Sequence, residues 1–355
     1  MSLENSTIPQ NPDSSHEVTF IIGSIILVVV FLLGVPGNLF IIWSIVARAR
    51  KRSVTMLLIL NLAMADGSIM CLTVFFLVYL ARQSWVFGGA MCKLLFYLCN
   101  TNMYASILLI TLMSLQRLVA VRWPHHIHSV TRRKYVLAVL IALWTLVFTL
   151  ALPALIFREE KSKGQRTLCT QNHSQQKKYV VLQYTLETVL GFLLPYGIIL
   201  CSYTCLLQWL RRRSSRRIHS ERLILAIIIT FGVFWLPYHI INIIQVVAVC
   251  SPENSYFRKN QEMWESIRVV TSALAFISSS ANPVLYTFAG RSYIRADGLA
   301  FMARLFEKTV ADINTKNCDP QRERPGLGLK NKSDNPNKSN TNSPTLTTST
   351  LTVPE

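Results

Sequence analysis

Seven stretches of this chain are long enough to cross a bilayer and almost free of charge, and that pattern limits the fold more than any other feature. A helix needs roughly 20 apolar residues to span the hydrocarbon core. The stretches run over about 18–47, 54–81, 92–121, 133–157, 178–210, 220–250 and 265–289. No Asp, Glu, Lys or Arg lies between Val18 and Ala47, Leu94 and Leu115, Tyr135 and Phe157, Leu223 and Cys250, or Val269 and Ala289. The second stretch holds only Asp66, and the interior of the fifth only Glu187. Charged residues make up 15% of the chain, against about 25% in soluble domains, which is too little to cover a soluble surface. A disordered chain, a disulfide scaffold and an ordinary soluble enzyme are therefore excluded. No metal-ligand spacing, phosphate loop or nucleophile–base pair is present. The expected fold is an all-α membrane protein, a seven-transmembrane helix bundle over 18–289.

The net charge of +18 would suggest nucleic acid on a soluble domain, but here its placement sets orientation. Arg48, Arg50, Lys51 and Arg52 follow the first stretch, Arg122, Arg132, Arg133 and Lys134 the third, and Arg211, Arg212, Arg213, Arg216, Arg217 and Arg222 the fifth. Residues 1–17 contain no Lys or Arg. The positive-inside rule puts those loops in the cytoplasm and the N-terminal segment outside. The sequons at Asn5 and Asn172 then face outward and are candidate glycosylation sites. Residues 290–309 read as an amphipathic helix on the inner leaflet, with Leu299, Met302, Leu305 and Phe306 on one side and Arg291, Arg295, Arg304 and Lys308 for anionic headgroups. Residues 310–355 are polar and expected to be disordered. No repeat of duplicated halves is visible, which argues against a transporter.

The spans carry landmarks in register: Gly37-Asn38, Leu62-Ala63-Met64-Ala65-Asp66, Arg117, Trp144, Pro195, Tyr203, Phe234-Trp235-Leu236-Pro237 and Asn282-Pro283-Val284-Leu285-Tyr286. Together they resemble the rhodopsin-like family of G-protein-coupled receptors. Lys51-Arg52-Ser53-Val54-Thr55, Met103-Tyr104-Ala105-Ser106, Phe234–His239 and Ala273–Phe276 look like the leukotriene B4 receptors. Arg82–Trp85, Ser114–Arg117 and Leu186–Thr188 lean toward the second, low-affinity subtype. The resemblance implies a plasma-membrane receptor for a lipid mediator with a carboxylate, coupled to a heterotrimeric G protein of the inhibitory class. It also implies a Cys92–Cys169 bond, as the oxidising outer face would favour. The other thiols within spans read as buried.

Both acids within spans are functional candidates by default. Asp66 lies ~18 Å into its span at 1.5 Å per residue, where Ser106, Asn38, Ser279 and Asn282 can face it. Such oxygens suit a hard cation, and the resemblance implies a sodium ion favouring the inactive state; a water-filled network is the alternative. Glu187, Asn242 and Asn100 lie at similar depth, with Tyr104 and Trp235 lower, forming a polar shelf over an aromatic floor for a dihydroxy fatty acid. Glu187 is expected to accept from a ligand hydroxyl or to be partly protonated. Arg158 and Arg268 are placed to hold the ligand carboxylate, while Lys161, Lys163, Arg166, Lys177 and Lys178 attract it. Phe96 stands where the first subtype has a polar ring.

At the inner end, Gln116 and Leu118 flank Arg117 in place of the common Asp and Tyr, so the arginine lacks its usual neighbouring ion pair. The expected switch comprises Arg117, Gln116, Tyr203, Trp235, Pro237 and Tyr286. Ser343, Thr345, Thr347, Thr348, Ser349, Thr350 and Thr352 would present phosphates to arrestin after action of a receptor kinase. A chemotactic-peptide receptor of the same fold is the nearest rival.

Overall fold

The computed structural model describes residues 12–48, 53–123, 132–173, 176–212 and 218–289, without the side chains of 12–20, 48, 210–212, 218–224, 262 and 286–289. The Asn5 sequon, the surface helix 290–309, the tail 310–355 and the Tyr286 side chain lie outside the described residues. Helix α1 (Pro12–Trp43) starts earlier than hydropathy suggests, because Pro12 suits a first helical position, where its missing N–H costs nothing. A single π segment, Ser44–Arg48, continues it. Then come α2 (Val54–Arg82), α3 (Gly88–Arg122) and α4 (Arg133–Ile156). Ser53 caps α2 by accepting from the Met56 amide.

The fifth span is two helices, α5 (Lys177–Thr188) and α6 (Leu194–Arg212), joined by a π segment over Val189–Leu193. Pro195 explains the local widening: it has no N–H to give the Gly191 carbonyl, so the hydrogen-bond ladder slips there. The sixth span is α7 (Ile218–Cys250), followed by the short α8 (Tyr256–Lys259) and the seventh span α9 (Gln261–Ala289).

Among the described residues six spans are long and apolar enough to cross a membrane by length and composition. The seventh, α9, carries Glu265 and Arg268 near its start and completes the bundle by packing along α7 and α1. Helix α3 is the central post: its most apolar window is 67% buried, against 17% for α4. It touches α2, α4 and α6, while α4 shows Tyr135, Ile141 and Ile156 to the surroundings. The Trp144 indole donates to Asn61 Oδ1 (3.0 Å), fastening α4 to α2. At Gly37 the first and seventh spans come so close that a Cβ would stand 2.7 Å from Pro283.

Cys71, Cys201, Cys205 and Cys250 are exposed on the bundle's flank, contrary to the expected buried thiols, and only Cys99 is partly covered. In hydrocarbon a thiol gains little from being turned inward, since lipid tails are as apolar as a core.

The all-α expectation holds for the spans, but the loop after α4 is a hairpin of β1 (Arg158–Lys163) and β2 (Arg166–Gln171). Arg158 pairs with Gln171 and Glu160 with Cys169. Gly164, at φ 64°, makes the tight turn that right-handed strand twist favours. Cys169 is disulfide-bonded to Cys92 at the start of α3, with Cα atoms 5.7 Å apart. Trp85 backs this junction: its amide donates to Thr167 O (2.7 Å), its indole to Gly88 O (2.9 Å), and Tyr79 and Phe87 meet it edge-on.

Candidate functional site

The hairpin end of the bundle is organised around Glu187. Its position near the end of α5, just before the π segment, turns its carboxylate toward α7 and α9. Oε1 accepts from Gln183 Nε2 (2.8 Å), one helical turn earlier. Oε2 accepts from the Tyr238 hydroxyl (3.0 Å), Asn242 Nδ2 (3.3 Å) and Arg268 Nη2 (3.2 Å). Arg268 also donates from Nε to Asn242 Oδ1 (2.8 Å), from Nη1 to Gln171 Oε1 (2.9 Å) and from Nη2 to the Tyr238 oxygen (2.7 Å). Its guanidinium lies 4.5 Å from the Tyr184 ring centre and 5.0 Å from that of Tyr238, close enough for cation–π attraction. Tyr184 donates in turn to Gln171. The side chains of Arg268 and Glu187 are only 11% and 4% exposed, and theirs is the only ion pair among the described residues.

This corrects the expectation for Glu187. Its carboxylate is already paired with Arg268 and is not without a partner inside the protein. Arg268 is correspondingly engaged. Asn242 joins the network as expected, but Asn100 donates to Phe96 O on its own helix (3.0 Å). The Tyr104 hydroxyl is buried with no hydrogen-bond partner, and the Trp235 indole donates to Ser278 Oγ (2.9 Å). Sequence reasoning missed Gln183, Tyr238, Tyr184 and Gln171. Gln183 was findable, since residues four apart share a helix face. Gln171 was not, because nothing local in a loop sequence shows where a strand will end.

Arg158 is placed differently. Its guanidinium sits 3.5 Å from the centre of the Phe96 ring and donates once, from Nη1 to Cys169 O (3.2 Å). Among the described residues no carboxylate lies within ion-pair distance of it. Burial, then the nearby Arg268 cation, hold its pKa down to about 10, which leaves it charged at neutral pH. Phe96 is thus the platform for this cation. Hairpin register sets Arg158 opposite Gln171, the acceptor for Arg268, so two guanidinium groups converge on one end of the bundle.

Deeper in, Asp66 is completely buried. Oδ1 accepts from Asn102 Nδ2 (3.0 Å) and Ser106 Oγ (3.2 Å), and Oδ2 from Asn282 Nδ2 (2.8 Å). Asn102 is the member sequence reasoning missed; it also accepts from Ser279 Oγ (3.4 Å). Asn38 stands one layer back, donating to Gly34 O (3.0 Å) and Ser279 O (3.4 Å), with its own buried Oδ1 unpartnered. The carboxylate, two hydroxyls and that spare amide oxygen are the hard donors a sodium ion prefers. At the far end, Arg117 and Tyr203 are buried, and Gln116 Oε1 accepts from Thr55 Oγ1 (3.1 Å), linking α3 to α2. Pro237 lies within α7, one turn from Phe234.

The family pattern described as 7 transmembrane receptor (rhodopsin family) matches residues 37–286. The chain belongs to this family. A receptor of this kind is not an enzyme. Among its relatives, leukotriene B4 receptor 1 of Homo sapiens is 38% identical over 319 residues, 89% of each chain. Leukotriene B4 receptor 2 of Homo sapiens is 38% identical over 291 residues, 80% of each chain. The expected leaning toward the second subtype finds no support in these identities. The C3a anaphylatoxin chemotactic receptor of Danio rerio is 32% identical over 311 residues, covering 86% of this chain and 82% of its own.

Proposed function

We propose that this chain is a plasma-membrane receptor, N-terminus outside, for an anionic hydroxylated lipid mediator of the kind named by its relatives, leukotriene B4, or a hydroxyheptadecatrienoic acid. Ligand binding shifts the population of bundle conformations and is passed to a heterotrimeric G protein of the inhibitory class in chemotactic signalling. One observation carries the ligand class: Arg158 is a half-buried cation that makes no ion pair among the described residues. A ligand carboxylate would supply the missing charge, while the balanced Glu187–Arg268 pair offers donors and acceptors to hydroxyls. A sodium ion at Asp66 would stabilise the resting state, and Trp235, Pro237, Arg117, Tyr203 and Tyr286 would carry the change to the far end. Phosphorylation by a receptor kinase would recruit arrestin to the tail.

Binding of tritium-labelled leukotriene B4 to membranes tests this. Arg158→Ala should lose at least about tenfold in affinity, since a charge-assisted hydrogen bond contributes about 1.5–3 kcal/mol. Thermal stability should fall only modestly, because the side chain makes one backbone hydrogen bond and one ring contact. Unchanged affinity would overturn the carboxylate assignment. The resemblance to the C3a receptor favours a peptide as second reading; displacement of the labelled lipid by peptide but by no lipid acid would establish it.

A further inference from the structure

Directly under the Glu187–Arg268 pair lies a tier of polar groups with nothing to bond. The hydroxyls of Tyr104 and Thr188 and both ring nitrogens of His239 are buried and lack hydrogen-bond partners. The residues are 0%, 4% and 1% exposed, respectively. They come from three spans and each borders the π segment Val189–Leu193. Thr188 leads into that segment. Gly191 within it lets Tyr104 approach, since a Cβ there would stand 3.2 Å from the Tyr104 ring and 3.1 Å from the Met103 methyl. His239 stacks on Phe192 with ring centres 4.8 Å apart and meets Tyr238 edge-on at 5.2 Å. Along α7, His239 falls between Asn242 above and Trp235 below, ~4.5 Å beneath Asn242 at the helical rise.

Buried polar groups in folded proteins are nearly always paired, so three orphans bordering one segment call for an occupant. Their chemistry narrows it. A hydroxyl and a neutral imidazole can each both give and take a hydrogen bond. A carboxylate only accepts, an ammonium only donates, and either would bring an uncompensated charge into an apolar aromatic setting. An alcohol does both without charge.

We infer that this tier is a second hydroxyl-binding station. It takes the distal alcohol of a dihydroxy fatty acid whose carboxylate lies at Arg158 and whose nearer hydroxyl meets Tyr238, Asn242 and Glu187. The inference rests on the lipid-receptor reading above and sharpens it: an acid with two alcohols fills both tiers, whereas a monohydroxy acid leaves the lower one empty.

The test compares binding of leukotriene B4 with binding of the same acid in which hydrogen replaces the distal hydroxyl, on the full-length receptor in membranes. The unmodified receptor should favour the dihydroxy acid about tenfold, one neutral hydrogen bond's worth. His239→Phe and Tyr104→Phe preserve ring volume; in each the preference should fall toward one, and an unchanged melting temperature of the purified variant reports that it folds. A tenfold preference that survives in both variants overturns the station, as does an unmodified receptor indifferent to the two acids. Water then fills the tier, and the carboxylate assignment still stands on Arg158→Ala. An unmodified receptor that binds neither acid rejects the lipid reading and the station with it.

Discussion

Asp66 and Glu187 are carboxylates buried in the interior of this receptor's bundle, and their surroundings solve the same problem in opposite ways. Glu187 is matched by a guanidinium and ringed by Gln183, Tyr238 and Asn242. Asp66 is held by neutral amides and a hydroxyl alone, from Asn102, Ser106 and Asn282. In low dielectric an ion pair is costly to break from one side, whereas a carboxylate with only neutral donors remains open to a cation. At the hairpin end the charge is matched within the protein. The mid-bundle carboxylate meets only neutral donors among the described residues. One bundle supports both because what matters is the identity of the nearest neighbour.

The largest effect should come from breaking the pair on one side. Glu187→Ala or Arg268→Ala leaves a buried charge unmatched, at a cost of about 3–5 kcal/mol, read as a fall in thermal unfolding temperature of the purified receptor. Glu187→Gln with Arg268→Gln should recover much of that loss. Equal damage from single and double variants would mean that charge matching is not what holds these helices. Asp66→Asn should be milder, about 1–3 kcal/mol, because one amide donor then faces another with no acceptor between them. If sodium occupies the site, the same variant should also abolish any weakening of agonist binding by sodium against a potassium control; a sodium effect that persists would move the ion elsewhere.

At the far end, Gln116→Asp would supply the carboxylate that Arg117 lacks from its sequence neighbour and should lower basal G-protein activation. An unchanged basal signal would show that the Thr55–Gln116 hydrogen bond restrains the helix just as well. The smallest effect concerns His173, beside the hairpin, where it bonds Gln183 Oε1 at 2.9 Å. Burial, more than that bond, pushes its pKa below 6.5. A base held low in the folded state binds more protons when unfolded, so stability should be full above about pH 6.5 and decline as pH falls below it. His173→Gln should flatten that slope in a pH series of melting temperatures.

Much of this architecture was legible beforehand. Charge-free runs of bilayer length marked the spans; the cost of an acid in lipid singled out Asp66 and Glu187, and depth along the spans and position at their ends pointed to Ser106, Asn282, Asn242, Arg158 and Arg268. What escaped was pairing. Glu187 and Arg268 lie in different spans, and nothing in the spacing of either says that they meet. Asn102 and Tyr238 escaped because a polar residue within an apolar run gives no sign of which neighbour it faces. The hairpin and the π segment escaped because each arises from local exceptions, Gly164 in one and Pro195 in the other, inside stretches that otherwise read as loop and helix.

The sequence by itself determined that this chain spans a membrane seven times, since hydrocarbon tolerates only backbones that satisfy their own hydrogen bonds and the apolar runs have just the length for that. It also determined the family. Only the tertiary structure decided which of two arginines is paired with an internal acid and which rests on an aromatic ring and a backbone carbonyl. That choice depends on distances of about one hydrogen bond between residues far apart in the chain, and those distances exist only once the helices have packed.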